Sequence, residues 1–396
     1  MIKSGSFVLN AGTGDQEISG LGFKPKAIVA FAQQQTADGS AASWEVCVGF
    51  GTSTSQAVSS TKATDGSNPT RSGRRTDNTK FIQVVSDDGS TTVISASLKS
   101  LNSDGFTINI ASTDGVQRVI NYLAIGGNRT LVELKEVTTN TGTGSQTFST
   151  SFKPDLIFIH GTVASSTTLN VGANGAIMEF GIAKSPTKQG AMSLRTGSTV
   201  ATQIDEKRQG TASCVIATNG GATFHEANLT SMNEGGGFTV NWSTANATAR
   251  YLHVLCVKNV SVEMGSFNQA TGTGNASVTS SRFRAKTGFW FSFNNITTSS
   301  IVEDTRHSFG LANSPFDRRS LWIADQDNVS PQNASSNLDS TKVLKMMTPA
   351  SGSPTTDAAA DFVSYDASGF TWNWTTADAT AREIIYLLLA DIGTIS

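Results

Sequence analysis

The chain has little charge. Asp, Glu, Lys and Arg make up only 15% of its 396 residues, and 31 acids against 29 bases leave a net of −2. Nucleic acid or an anionic membrane would call for a basic face, and this balance argues against both as partners. Histidine is scarcer still, with His160, His225, His253 and His307 scattered and no two at metal-ligand spacing. Cysteine is limited to Cys47, Cys214 and Cys256. A disulfide framework would recur with the repeat described below, and these three do not, so free buried thiols are expected. No run of about 18 apolar residues offers a membrane-spanning helix. The opening MIKSGSFVLNAG lacks the apolar centre of a secretory signal. Triplets of the Asn-x-Ser/Thr type, such as Asn241, Asn295 and Asn373, arise by chance in a chain this rich in those residues.

Sets of residues that do chemistry are equally sparse. Asp325-Gln326-Asp327 opens like a calcium loop but lacks the glycine and terminal glutamate, and Asp87-Asp88-Gly89 reads as a turn. No nucleophile–base pair or carboxylate pair recurs along the chain. The expectation is a protein that is not an enzyme, with no catalytic residue, cofactor or metal. Carboxylates converging from distant strands are the one arrangement that linear order hides.

What is abundant is repetition. GFTINIASTDGVQRVINYLAI from Gly105 returns as GFTVNWSTANATARYLHVLCV from Gly237 and GFTWNWTTADATAREIIYLLL from Gly369. The step is 132 residues, and Arg118, Arg250 and Arg382 keep it. Phe106, Ile108 and Ile110 alternate with polar neighbours, as do Phe238, Val240, Trp242 and Phe370, Trp372, Trp374. Period two with one apolar side is a half-buried strand, and the β-branched and aromatic run after each arginine is a second. The pair reads as a hairpin with its apolar face inward. The arginine at its mouth follows Asp114, Asn246 or Asp378 by four residues, a spacing suited to holding the loop rather than a ligand.

Other signals recur in step. Gly12-Thr13-Gly14, Gly142-Thr143-Gly144 and Gly272-Thr273-Gly274 are turn glycines without the Lys-Ser/Thr of a phosphate loop. Phe23-Lys24-Pro25, Phe152-Lys153-Pro154 and the drifted Phe283-Arg284-Ala285 precede near-continuous apolar runs, as expected of strands covered on both faces. A further strand ends at Phe50-Gly51, Phe180-Gly181 and Phe309-Gly310. The middle of each unit varies most and carries basic stretches: Arg71, Arg74 and Arg75; Lys207 and Arg208; Arg318 and Arg319. These read as surface loops that either contact an acidic partner or are merely solvated. Hairpins turn at Asp88-Gly89 and Asn219-Gly220, and Pro349 to Pro354 replace that turn in the third unit.

About eight strands per unit and no convincing amphipathic helix predict an all-β protein of three tandem antiparallel sandwich or jelly-roll-like domains of about 130 residues each. Boundaries fall at 1–127, 128–258 and 259–396, with joints too short for free swinging. Each unit is long enough to bury its own core. One chain supplying three like surfaces suits a clasp about a pseudo-threefold axis, and an extended rod is the competing geometry.

The phrases TGTG…GLGFKPKAIVAF and GFTVNW…ARYL resemble repeats of virion structural proteins of tailed bacteriophages, in head- or tail-associated positions. The resemblance covers the whole chain once per repeat and rests on turn and core residues. It implies a fold and a setting and transfers no site residue. The function implied is a non-enzymatic protein on the particle exterior, decorating the capsid or forming part of the tail and binding other virion proteins. Such a protein assembles in the host cytoplasm. The alternative is a lectin-like module of a phage tail that binds a host surface glycan, for which Trp44, Trp290 and Trp322 are the candidate stacking residues.

Overall fold

Alternation along the chain becomes strand almost throughout. A computed structural model describes residues 1–165, 167–202, 204–294 and 300–392, so the Asn295 triplet lies outside the described residues. It contains thirty-three strands and no helix among those residues. The first unit holds β1 (Ile2–Val8), β2 (Gly14–Ile18), β3 (Pro25–Gln33), β4 (Gly39–Ala42), β5 (Trp44–Thr52), β6 (Gln56–Ala63), β7 (Ser72–Asp77), β8 (Ile82–Val85), β9 (Thr92–Asn102), β10 (Gly105–Ser112) and β11 (Val119–Gly126). The same eleven-strand order runs from Leu131–Thr138 to Tyr251–Lys258 and from Ser261–Asn268 to Glu383–Ala390. Eleven exceeds the eight expected because the surplus includes pieces such as Ala173–Asn174 and Val302–Glu303, too short to show a period. Pairing is antiparallel throughout, in three seven-stranded and three four-stranded sheets.

In the first unit the small sheet runs β2-β10-β9-β8, and the large one contains β1-β11-β3-β5-β6-β7. The expected hairpin of β10 with β11 is therefore wrong. β10 pairs with β2 and β9, while β11 pairs with β1 and β3 in the opposite sheet. Both strands turn apolar residues to the same core, and period two reports that face without naming the ladder partner. The loop between them spans the gap of about 10 Å between packed sheets. The GTG turn makes a similar crossing from β1 to β2. Its second glycine has φ 114° at Gly14, 116° at Gly144 and 116° at Gly274, a region that side chains strain to adopt. Gly105, Gly237 and Gly369 recur for another reason. A Cβ there would lie 1.9, 2.0 and 1.8 Å from the carbonyl oxygens of Ile18, Phe148 and Val278.

The apolar runs are covered on both faces. Along β3, Ile28, Ala30 and Ala32 enter the core between the unit's own sheets. Ala27, Val29 and Phe31 turn the other way, into a second core shared by all three units. Leu156 and Phe158 against Ile157 and Ile159 divide likewise, as do Phe289 and Phe291 against Trp290. So each unit does bury a core of its own, but only half of its large sheet belongs to it. Aromatic contacts cross every junction: Phe50 to Phe158, Phe180 to Phe291 and Phe309 to Phe31, at centroid distances of 6.3, 5.7 and 5.9 Å.

The ladders interlock as well. The seventh strand of each large sheet comes from a different unit. Ala173–Asn174 pairs with β7, Val302–Glu303 with Asp205–Gly210, and β4 with Ala334–Asp339. The donations run from second unit to first, third to second and first to third, closing a ring. At the opposite margin, Asn313 receives the Ser4 N–H at 2.9 Å and donates to its carbonyl at 2.7 Å, covering the free edge of β1.

One strand aligns differently from its sequence motif. Phe31, His160 and Phe291 stand opposite Val48, Phe180 and Phe309 in the ladder. Gly49, Gly181 and Gly310 are thus equivalent, and a Cβ on each would strike the carbonyl oxygen of Phe81, Cys214 or Val343 at about 2 Å. Matching Phe50-Gly51 to Phe180-Gly181 slips the register by two, which keeps the face and hides the error.

A closed body of this length should have a radius of gyration of about 21 Å, whereas three such domains in a row should exceed about 30 Å. Small-angle scattering is expected to return the smaller value.

Candidate functional site

The recurrent arginines hold the inter-sheet loops, each in its own way. Arg118 is buried and donates to Asp114 at 2.8 and 2.9 Å and to Glu45 at 2.9 Å. Lys62 adds a second cation to Glu45 at 3.0 Å. Asp114 lies below the usual carboxylate range: burial opposes ionisation, but the hydrogen bonds from Arg118 and the Val116 amide outweigh it. Arg382 donates to Asp378 at 2.5 Å and to the Asn294 carbonyl at 2.7 Å. Arg250 instead reaches the Val163 carbonyl at 3.2 Å and lies 5.1 Å from the Phe224 ring centroid. Asn246 accepts from the Thr248 N–H, closing its own turn. Val163 and Asn294 both have positive φ, 55° and 53°, so two of the arginines secure a strained residue at the end of the third strand.

The basic stretches are not surface loops. Arg74 and Arg75 lie on β7, Lys207 and Arg208 on Asp205–Gly210, and Arg318 and Arg319 on Asp317–Asp325. The first two stretches occupy the same sheet position, beside the donated strand, while the third belongs one strand earlier. Arg74 bonds the carbonyls of Asn174 and Gly175 at 2.8 and 2.6 Å, fastening the second unit to the first. Arg75 meets Asp77, Arg208 meets Glu226, Arg318 meets Asp361 and Arg319 meets Asp317, within 3.5 Å in each case. Lys207 is buried, and burial foremost, with Arg306 next, lowers its pKa to about 7. Arg71 alone stays largely exposed, 3.3 Å from Asp87.

Polar groups concentrate where units meet. His160 bonds Ser59 across the first junction at 2.8 Å, and Thr76 meets Thr162 there at 2.5 Å. His253 stands directly opposite His160 in the ladder. His307 packs 3.9 Å from the Phe293 ring, and neither of its ring nitrogens has a hydrogen-bond partner among the described residues. It occupies the shared core beside Phe309, where Val46 and Met178 serve the sister units. Burial drives His160 and His307 well below the usual histidine range and His253 to about 4. His225 is paired with Glu179 at 2.6 Å, both buried.

The candidate chemistry stays dispersed. Among the described residues no three His, Cys, Asp or Glu side chains gather as a metal site. Asp325 is fully buried and accepts from Gln332 at 2.7 Å, while Asp327 accepts from the Asp205 N–H at 2.6 Å. The three cysteines are free and buried, which pushes the Cys47 and Cys214 thiols up to about 12. Trp44, Trp290 and Trp322, the candidate sugar platforms, are 0% exposed, and Trp242, Trp372 and Trp374 are core residues. Isolated tryptophans in alternating strands look alike whether they face core or solvent, so sequence could not place them. No helix among the described residues is long and apolar enough to cross a membrane. Compared with known proteins, the chain matches no family model and no curated protein.

Removing Arg118 takes charge-assisted hydrogen bonds from Asp114 and leaves buried Glu45 with Lys62 alone, so Arg118→Met should cost about 2 kcal/mol of stability. Arg250→Met, which releases a carbonyl and a ring face, should cost about 1 kcal/mol; denaturant midpoints compare the two. For His160, His253 and His307 the sign follows from depressed folded pKa values. The unfolded chain binds the extra protons below pH 6.5, so stability falls as pH drops through that value. His307→Met should flatten part of this fall, raising the melting temperature relative to wild type at pH 5 more than at pH 8.

Proposed function

We propose that this chain is a non-enzymatic structural protein on the exterior of a tailed-phage particle, attached to the capsid or tail through other virion proteins. The observation that carries this reading is the ring of exchanged strands. One chain forms a closed body whose three units present like surfaces, a shape suited to a threefold or quasi-threefold site in a larger assembly. The resemblance of the repeats supplies the particle setting. The residues that recur most faithfully, Gly105, Arg118 and their counterparts, act on strand approaches and inter-sheet loops. That is the pattern of a sequence selected for shape. The glycan-binding reading loses its stacking platforms with the burial of all six tryptophans.

The test is mass spectrometry of gradient-purified particles after a high-salt wash, with copy number measured against the major shell protein. A fixed ratio is the expected result, hundreds of copies for a head or tail-tube surface and three, six or twelve for a tail tip or neck. Loss of the chain from washed particles overturns the proposal.

A further inference from the structure

Three surface grooves recur, one at each junction. The first, about 740 Å³, lies between Lys24-Pro25, the β5–β6 turn, the end of β9 and the next unit's opening residues Leu131 and Val132. The second junction repeats this plan with Lys153-Pro154, the turn at Ser185-Pro186, Met232, and Val260 with Val262, enclosing about 590 Å³. The remaining groove, about 860 Å³, uses Arg284-Ala285, the turn at Ser314-Pro315, Val363, and Met1 to Lys3. Here the opening strand comes from the start of the chain, and the N-terminal amine lies 3.1 Å from Asp391. The set therefore closes as the strand exchange does.

The three grooves share cationic rims. Lys24, Lys26 and Lys99 line the first with no carboxylate among its lining residues. Lys3, Arg284 and Lys286 line the groove between the third and first units against Asp317 and Asp391. Lys153 and Lys184 line the groove between the second and third units against Asp155. Counted by lining residues each has an excess of cations in a chain whose overall charge is −2, and two of these cations are paired just outside the lining, Lys99 with Asp15, and Lys184 with Glu263 at 3.0 Å. One basic position is common to all: the residue after the buried Phe23, Phe152 and Phe283, namely Lys24, Lys153 and Arg284. The proline beside it is lost in the third unit, yet the cation persists. Lys24 makes no ion pair among the described residues, Lys153 meets the exposed Glu234, and Arg284 donates to the Tyr365 carbonyl at 2.9 Å.

Between these rims each groove carries apolar surface: Leu98, Leu101 and the half-exposed Leu131; Met232; and Val363. Phe316, next to the groove-lining Pro315, is 98% exposed. A phosphate polyanion would use the cations and leave this apolar surface wet. A peptide with carboxylates flanking an apolar side chain would use both.

We infer that these grooves are one docking face, receiving three copies of an acidic segment with an apolar anchor from a threefold-symmetric protein. This deepens the structural role proposed above by naming the surface and the chemistry of its partner, and it rests on that reading only for the partner's location in a particle. Three weak contacts made together gain avidity of about 10²-fold or more over one.

The probe is a peptide of alternating Asp and Leu fused to a trimeric coiled coil, with the monomeric peptide, polyphosphate and duplex DNA as comparisons. The full chain is expected to bind the trimer at least 100-fold more tightly than the monomer, with affinity falling as salt rises. Lys24→Glu/Lys153→Glu/Arg284→Glu should abolish that binding while keeping the scattering profile and melting temperature. If it misfolds, the glutamine triple substitution should still weaken binding at least tenfold. The inference is overturned if the trimer binds no better than the monomer, if the folded variant binds like wild type, or if polyphosphate or DNA competes equally. Particles stripped of the chain separate the two proposals. Uptake of wild type and variant alike removes the docking face and leaves the role. Trimer binding that depends on the three cations, with no uptake by particles, removes the role and leaves the face.

Discussion

Everything in this molecule depends on strands that have no solvent side. β3, β5 and β11 and their counterparts turn one set of side chains into a sandwich and the alternate set into a core held in common. A sheet with two apolar faces cannot stand in water with only one of them covered. A phenylalanine such as Phe180 is worth about 3–5 kcal/mol when its cavity is left open. A whole domain commonly has a net stability of about 5–15 kcal/mol. A few such residues per junction therefore bind the stability of each unit to its neighbours.

The strand exchange completes what the shared core begins. A large sheet ending at β7 would expose a row of unpaired amides and carbonyls beside the junction, an invitation to pair with other chains. Each unit covers that edge on its neighbour with two to four residues, and Arg74 reinforces the first of these contacts. Polar residues in the shared core then need explanation, because they weaken what packing builds. His160 is satisfied on one nitrogen by Ser59, while His307 sits where its sister units place Val46 and Met178. The three junctions have the same plan but different interiors, as expected once three copies diverge within one chain.

The surface follows from the same accounting. The tryptophans and the recurrent arginines are spent on core and inter-sheet loops, and Ser, Thr and Asn make up much of what remains outside. The grooves stand apart because they lie where two units meet, and a seam between sheets leaves concavities that a single sandwich lacks. Their linings come from four to six separate segments, so the repeated cation after Phe23, Phe152 and Phe283 was visible in sequence as a motif but not as the rim of anything. Neither the grooves nor the buried state of Lys207 had a linear signature.

Sequence by itself determined the all-β class, the period-two faces, the turns at Asp88-Gly89 and Asn219-Gly220, the need for glycine at Gly14 and its counterparts, and the double burial of runs such as Ala27 to Phe31. These are local properties, set by alternation and by allowed backbone angles within a few residues. Tertiary structure alone decided which sheet each strand joined, so β10 and β11 parted into opposite sheets although they read as a hairpin. It also decided that two-residue strands would cross between units and that basic stretches would lie along ladders rather than in loops. The reason is physical: alternation tells which side of a strand is apolar, while the identity of the neighbour depends on contacts between segments a hundred or more residues apart.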